Sequence, residues 1–208
     1  RPDPGGQGQQ LGRGVGRDHA APGPDHGPLG RVEQVDRGLQ CLVVGHQAAD
    51  LCAAVASRGG VRIVVQDPQL GTGHALLQAE SVLRDRTGTV VLLSGDVPLL
   101  TPATLEALVE TRDQAGAAAT VVTATVPRPF GYGRVIRDDA GEFVEIIEQA
   151  DATDEQRAIR EVFPSIYCVK ATELLLALSR LKNENKKGEY YLTDIYGILR
   201  AAGKKVVA

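Results

Sequence analysis

The sequence contains no methionine and no tryptophan, and its aromatics are limited to five Tyr and three Phe. Its three cysteines, Cys41, Cys52 and Cys168, are odd in number, set in apolar runs, and form no Cys-x-x-Cys pair. That spacing excludes a disulfide framework and the common zinc sites, and a reducing cytoplasm is the compartment it fits. No apolar run approaches the roughly 18 residues a membrane span requires. Positive charge is not in excess: the net charge is −3 and the pI about 5.8. This excludes a nucleic-acid binder that relies on neutralising phosphates. A chain that begins at Arg1 and holds no Met is expected to be a piece of a longer protein.

Residues 1–30 lack core formers, with nine Gly, five Pro and almost no large apolar side chains. No period of 2 or 3.6 can be built there, so residues 1–38 read as a low-complexity, disordered segment. The segment has no apolar h-region, so it does not read as a secretory leader.

What is present from residue 39 onward is ordinary globular material. The whole chain has 208 residues, 43% apolar and 24% charged, enough to bury a core without staples. Leu42–Val44, Val61–Val65, Thr89–Ser94 and Ala118–Val126 read as strands. Thr89–Ser94, apolar on both faces, is expected mid-sheet under helices. Ala48–Ser57 and Gly73–Arg84 have helical spacing, and Thr101 followed by Pro102 caps a third helix. Val135–Ile136 and Phe143–Ile147 read as short strands around the turn Asp138–Gly141, and Val162–Val169 as another strand. Thr172–Leu181 and Leu192–Ala202 read as helices, and Lys204–Ala208 as the start of a strand. Strands alternating with helices of about a dozen residues predict an α/β domain over 39–208, with a mostly parallel, mixed sheet in three layers.

Four polar clusters fall at carboxyl ends of these strands, the edge where open α/β sheets bind ligands. In the first, Gln66 to Ala75, a Gly-rich turn (Gly71-Thr72-Gly73) opens a helix. Free N–H groups there favour an anion or a carbonyl oxygen, and a plain βα turn with Thr72 as N-cap fits equally. In the second, Ser94-Gly95-Asp96, the Asp is pinned between a buried strand and Pro98. One carboxylate there suits Mg²⁺, which takes few protein ligands and completes its shell from phosphates. In the third, Phe130-Gly131-Tyr132-Gly133-Arg134, two glycines let the chain fold over a planar or sugar-like ligand, or make a hairpin. In the fourth, Glu148 ends an otherwise apolar strand, whereas Asp151 reads as a solvated acidic strand end. His46 and His74 have no Ser or Cys partner at a catalytic spacing, so a Ser-His-Asp or Cys-His enzyme is excluded. Lys182–Lys187 and Lys204-Lys205 read as solvated surface.

Taken in order, QDPQLGTGHA, LSGDVPLL, FGYGRVIRD, EIIEQADAT and GEYYLTDI closely resemble the uridylyltransferase domain of the bacterial bifunctional N-acetylglucosamine-1-phosphate uridylyltransferase/glucosamine-1-phosphate acetyltransferases (GlmU). The resemblance covers the chain from about Cys41 onward. It implies a Rossmann-like nucleotidyltransferase fold and the Mg²⁺-dependent transfer of uridylyl from UTP to N-acetylglucosamine 1-phosphate. The products would be UDP-N-acetylglucosamine, a precursor for peptidoglycan and the cell envelope, and pyrophosphate. By carry-over, Gln66, Gly71 and Thr72 would read the uracil, Ser94 and Gly95 would line the ribose, and Asp96 would hold Mg²⁺. Gly133, Glu148, Tyr191 and Thr193 would surround the sugar. No protein nucleophile is needed, since positioning and charge neutralisation suffice. The implied partners are these small molecules, with no nucleic acid and no membrane. The full family protein is trimeric through its acetyltransferase half, so this piece is expected to be monomeric.

The sequence departs from the family in named places. No strand leading into a loop of the form LAAGxGTRM is found, and the nearest string, Gly5 to Gly14, has neither a strand before it nor a Pro-Lys after it. The switch in composition near residue 40 reads as a change of reading frame, which predicts that a neighbouring frame of the coding DNA encodes such a loop. The family's sugar-contacting Asn falls at Phe163, its second Mg²⁺ ligand would fall after Ala208, and the hexapeptide-repeat half is not in the sequence. Two other readings stand beside the first: transfer to a different sugar 1-phosphate, and an inactive domain that binds sugar nucleotides.

Overall fold

Gln40–Val44 (β1) and Val61–Val65 (β2) pair in parallel, with Leu42 opposite Ile63. Parallel neighbours need a crossover connection, and the helix Ala48–Val55 (α1) supplies it. The structure, a computed structural model, describes residues 38–208 apart from Pro98. The sequence reading of residues 1–37 lies outside the described residues, and Leu39–Ala208 forms one unit.

The helix expected over 73–84 is two helices, Thr72–Gln78 (α2) and Glu80–Leu83 (α3). They meet at Ala79, whose N–H bonds to Leu76 O at 3.0 Å, a tighter turn than the α-helical one. Thr89–Leu93 (β3) follows, then Pro102–Gln114 (α4), capped as expected by the Thr101 hydroxyl accepting from Thr104 N at 3.3 Å.

Two runs expected as single strands are each broken in two. Ala118–Val126 becomes Ala119–Val121 (β4) and Ala124–Thr125 (β5). After the hairpin Gly133–Arg137 (β6) and Phe143–Ile147 (β7), and the short capped helix Asp154–Arg157 (α5), Val162–Val169 becomes Glu161–Phe163 (β8) and Ile166–Lys170 (β9). The second break falls at Pro164-Ser165. Proline has no N–H for a ladder, and Ser165 takes a left-handed φ of 60°. Each broken run therefore serves two sheets. Helices Ala171–Leu178 (α6) and Asp194–Ala201 (α7) and the strand Val206–Val207 (β10) complete the order.

One sheet runs β10-β4-β9-β3 and another β5-β8-β6-β7. The α/β class holds and the sheets are mixed, but pairing is not mostly parallel among the described residues. Only β1·β2 and β4·β10 are parallel, and the other ladders are antiparallel. The reason is chain length: the turn from β6 to β7 and the bend from β8 to β9 are too short for a crossover, so they admit only reversal or a change of sheet. β3 pairs with β9 alone among the described residues and is an edge rather than mid-sheet, with Leu93 half exposed.

The core joins α6 and α7 to both four-stranded sheets, through Leu174, Leu178, Ile195 and Leu199 on the helices, Val169 and Val121 on one sheet, and Val135 and Phe143 on the other. An aromatic cluster lies within it. Tyr167 and Tyr196 stack at 5.7 Å, and Phe163 meets Tyr167 edge-on at 4.8 Å. Phe163, at the position expected to contact sugar, thus turns its ring into the core. Among the described residues no helix is long and apolar enough to cross a membrane.

Candidate active site

β2 delivers Gln66 to the end of the β1·β2 ladder, where its N–H still bonds to Val44 O at 2.7 Å. The Gly-rich turn that follows does not stand free, because it is docked on residues 189–192. Tyr190 N donates to Leu70 O at 2.8 Å and Gly73 N to Tyr190 O at 2.7 Å. Thr72 is not an N-cap: Gly71 holds that place without a side-chain bond, and the Thr72 hydroxyl accepts from Leu192 N at 3.1 Å. Of the N–H groups expected to be free for a ligand, that of Gly73 is therefore already used. The glycines are required by contact. A Cβ on Gly71 would lie 2.7 Å from Tyr190 O, and one on Gly73 2.7 Å from a Leu181 methyl. The Gln66 amide nitrogen donates to Gly71 O at 2.9 Å and lies 3.2 Å from His74 Nδ1.

At the end of β3, half-buried Ser94 leads into a turn at the exposed Gly95 and Asp96, with Val97 N donating to Ser94 O at 3.4 Å. No group of three or more His, Cys, Asp or Glu that could hold a metal exists among the described residues, Asp96 included.

The third region is assembled from β6, the end of β7 and the start of α7. Gly133 is buried, and a Cβ there would meet Ile146 at 2.7 Å and both Glu148 carboxylate oxygens at 3.8 Å. The Thr193 hydroxyl donates to Glu148 Oε1 at 2.9 Å. Tyr191 is buried, and the Asp151 carboxylate beside its phenol adds to burial in raising its pKa. Asp151 is therefore not a solvated strand end, and its Oδ1 accepts from Lys186 N at 3.0 Å. Lys182, Lys186 and Lys187 are exposed, as the surface reading expects, and Lys186 Nζ donates to Ala150 O at 2.9 Å. Lys205 is exposed, and Lys204, still partly exposed, pairs with Glu173 at 2.8 Å.

Arg134 ties this region together from below. It is 1% exposed and has no carboxylate partner among the described residues. Instead it donates to Tyr132 O, to Gln149 Oε1 at 2.7 Å, and to Arg157 O at 3.3 Å. Gln149 Oε1 also accepts from Gly131 N at 3.2 Å. Burial and the nearby Arg157 guanidinium lower the Arg134 pKa, yet a guanidinium stays charged. Removing this buried cation leaves several part-buried acceptors without their charged donor, so Arg134→Met is expected to destabilise the domain by roughly 2 kcal/mol in urea unfolding. Arg134→Lys should restore only part of this, because an ammonium cannot serve three directions in one plane. Equal stability of Arg134→Met and the unmodified chain would refute the role.

Asp194, the residue after Thr193, is pushed up from 3.8 to about 6 by burial and then by the carboxylates of Glu148, Asp151 and Glu145. With the folded-state value above the unfolded one, the stability due to this group is complete below about pH 4. It is lost as pH rises through 6. Asp194→Asn should therefore stabilise the domain at pH 7.5 by on the order of 1–2 kcal/mol, allowing for the part of the carboxyl still reached by water, and by nothing near pH 4. Urea midpoints at the two pH values test this. A cavity of about 290 Å³ lined by Glu145, Ile146, Arg180, Lys182, Thr193, Asp194, Gly197 and Ile198 opens beside this carboxylate. It shares only Thr193 with the residues singled out from sequence.

The structure thus brings Gly133, Glu148, Tyr191 and Thr193 into one cluster, and joins Gln66, Gly71 and Thr72 in another. Leu192 and Thr193 bridge the two, one bonded to Thr72 and the next to Glu148. Ser94, Gly95 and Asp96 share no hydrogen bond with either cluster among the described residues. Sequence reasoning named Arg134 and Asp151 without finding their structural roles, and missed Gln149 and the His74–Gln66 contact. The one available signal was an arginine directly after Gly133 in a run otherwise apolar.

Residues 29–189 match the family model of the MobA-like NTP transferase domain. The chain belongs to this family. The NTP transferase chain is 49% identical over 166 residues to the bifunctional protein GlmU of Brevibacillus brevis, covering 80% of this chain and 36% of that protein. It is 43% identical over 180 residues to the bifunctional protein GlmU of Pediococcus pentosaceus, covering 86% of this chain and 38% of that one. It therefore spans little more than a third of the length of these relatives. Among solved structures, UDP-glucose pyrophosphorylase complexed with UDP-glucose matches with a TM-score of 0.60 at 16% identity, over 81% of this chain and 72% of that one. The apo form matches at 0.58. At that identity the likeness establishes the nucleotidyltransferase fold.

Proposed function

We propose that this NTP transferase chain transfers uridylyl from UTP to N-acetylglucosamine 1-phosphate in the cytoplasm, supplying UDP-N-acetylglucosamine for cell-envelope precursors. Its similarity to proteins named bifunctional GlmU supports the reading. The observation that carries it is the bridge at Leu192-Thr193, which couples the Gly-rich turn to the Glu148 carboxylate. A ligand with a base at one end and a sugar at the other needs two such clusters held at a fixed separation.

In this reading the Gln66 amide and the Gly71-Thr72 backbone pair with the uracil edge, and the Ser94-Gly95 turn lies along the ribose. Thr193 donates to one Glu148 oxygen, which orients the carboxylate toward Gly133 and toward sugar hydroxyls. Gly133 leaves room for the sugar where a side chain would press on Ile146. Tyr191 is buried, its phenol oxygen without a hydrogen-bond partner among the described residues, and forms a wall of the sugar site. A phosphate oxygen of the sugar phosphate attacks the α-phosphorus of UTP in line. The bond to the bridging oxygen breaks, and pyrophosphate leaves with the electron pair. The chain's contribution is to hold the two reactants in that geometry.

Asp96 would hold Mg²⁺. A single exposed, hard oxygen donor at a strand end fits an ion that takes most of its shell from phosphates and water, and the ion would neutralise phosphate charge.

The test is release of pyrophosphate from UTP with Mg²⁺ and a panel of sugar 1-phosphates. N-acetylglucosamine 1-phosphate is expected to be preferred. Preference for another sugar phosphate would reassign the substrate, and binding of UDP-N-acetylglucosamine with no turnover would make the chain a binding domain.

A further inference from the structure

The Gln66 amide is locked at one end, and the lock is His74. Gly71 O can only accept, so the atom 2.9 Å from it must be the amide nitrogen of Gln66. The second hydrogen of that nitrogen faces His74 Nδ1 at 3.2 Å, which must then accept and leave the ring proton on Nε2. The Gln78 amide nitrogen lies 3.0 Å from that ring nitrogen, and because Nε2–H can only donate, the Gln78 amide is assigned with its oxygen and nitrogen exchanged so that the oxygen accepts there. The Tyr190 ring flanks the imidazole at 6.2 Å. Both donors of the Gln66 amide are thereby directed into the protein, and only its oxygen is left for a ligand.

We infer that His74 is a specificity-determining residue that selects the nucleobase by holding the Gln66 oxygen outward. This rests on the reading that Gln66 faces the base. An amide oxygen accepts from a base whose ring N3 carries hydrogen, as in uracil or thymine. It opposes cytosine, whose N3 is itself an acceptor. A free glutamine would turn its nitrogen outward and accommodate either. His74 touches no ligand in this account and acts through Gln66, as a positioning residue.

The experiment measures Kd for UTP and CTP, with Mg²⁺, by titration calorimetry on the full chain and its variants. The unmodified chain should prefer UTP. His74→Ala should lower that preference about tenfold or more, mainly by strengthening CTP binding, as expected when an opposed acceptor is relieved. His74→Asn places a side-chain oxygen near the position of Nδ1 and should restore the preference, which a loss of packing alone would not allow. An unchanged UTP/CTP ratio in His74→Ala, with Gln66→Ala shifting it, overturns the inference and keeps the reading of Gln66. A ratio that Gln66→Ala does not shift removes the reading itself. Circular dichroism of each variant separates these outcomes from misfolding.

Discussion

Gly71→Ala is expected to destabilise the domain by roughly 3 kcal/mol or more and to abolish nucleotide binding at the concentrations that saturate the unmodified chain. Two costs combine. Gly71 holds φ 105°, a conformation that strains any L side chain, and its Cβ would lie 2.7 Å from Tyr190 O and 2.9 Å from Glu189 Cβ. Neither neighbour is the movable tip of a long side chain, so relief requires the 189–192 segment to lift. Lifting it breaks the Tyr190–Leu70 and Gly73–Tyr190 bonds and the contact of Leu192 with Thr72, and shifts Thr193 from Glu148. Gly88→Ala is the control. Gly88 holds a similar φ of 96° with nothing within 4 Å, so its variant bears the strain without the clash. Urea unfolding of both variants checks the prediction, and equal losses would mean that docking of the turn contributes nothing.

Asp96→Ala is the second large effect, and it should appear in activity rather than stability. The side chain is exposed and hydrogen-bonds to no other side chain among the described residues, so the thermal midpoint should not move. Pyrophosphate release should fall by roughly 10²–10³-fold, the scale on which removal of one charge-positioning group lowers a transfer rate. Raising Mg²⁺ should recover part of the loss, because phosphates alone still bind the ion weakly. Activity within a few-fold of the unmodified chain would place the metal elsewhere.

These two positions differ in how they could be known. Asp96 can be singled out from sequence because its candidate chemistry is local: one carboxylate, a glycine before it and an apolar strand leading in. The Gly-rich turn was legible as a turn, but not as a docked one. What it docks on is 120 residues away, and no periodicity in either segment records the pairing. Asp151 was misread for the same reason, since its partner Lys186 belongs to another loop. Phe163 looked like a departure at the sugar, and its ring instead completes an aromatic cluster with Tyr167 and Tyr196.

The sequence by itself determined the alternation of apolar runs and helical spacing, hence the α/β class, and most element positions, including β2 and β7 to the residue. Its motifs, through the family they resemble, also singled out the side chains proposed to carry nucleotide and sugar chemistry. Local propensity and burial pattern decide those features within a dozen residues. Only the tertiary structure decided that two long strands break to serve two sheets, and that the pairing is largely antiparallel. It alone placed a buried guanidinium beneath the Gly133 loop and joined the two clusters through Leu192 and Thr193. Those outcomes depend on which backbone groups find partners across the fold, and a buried polar group must find one wherever in the chain it lies.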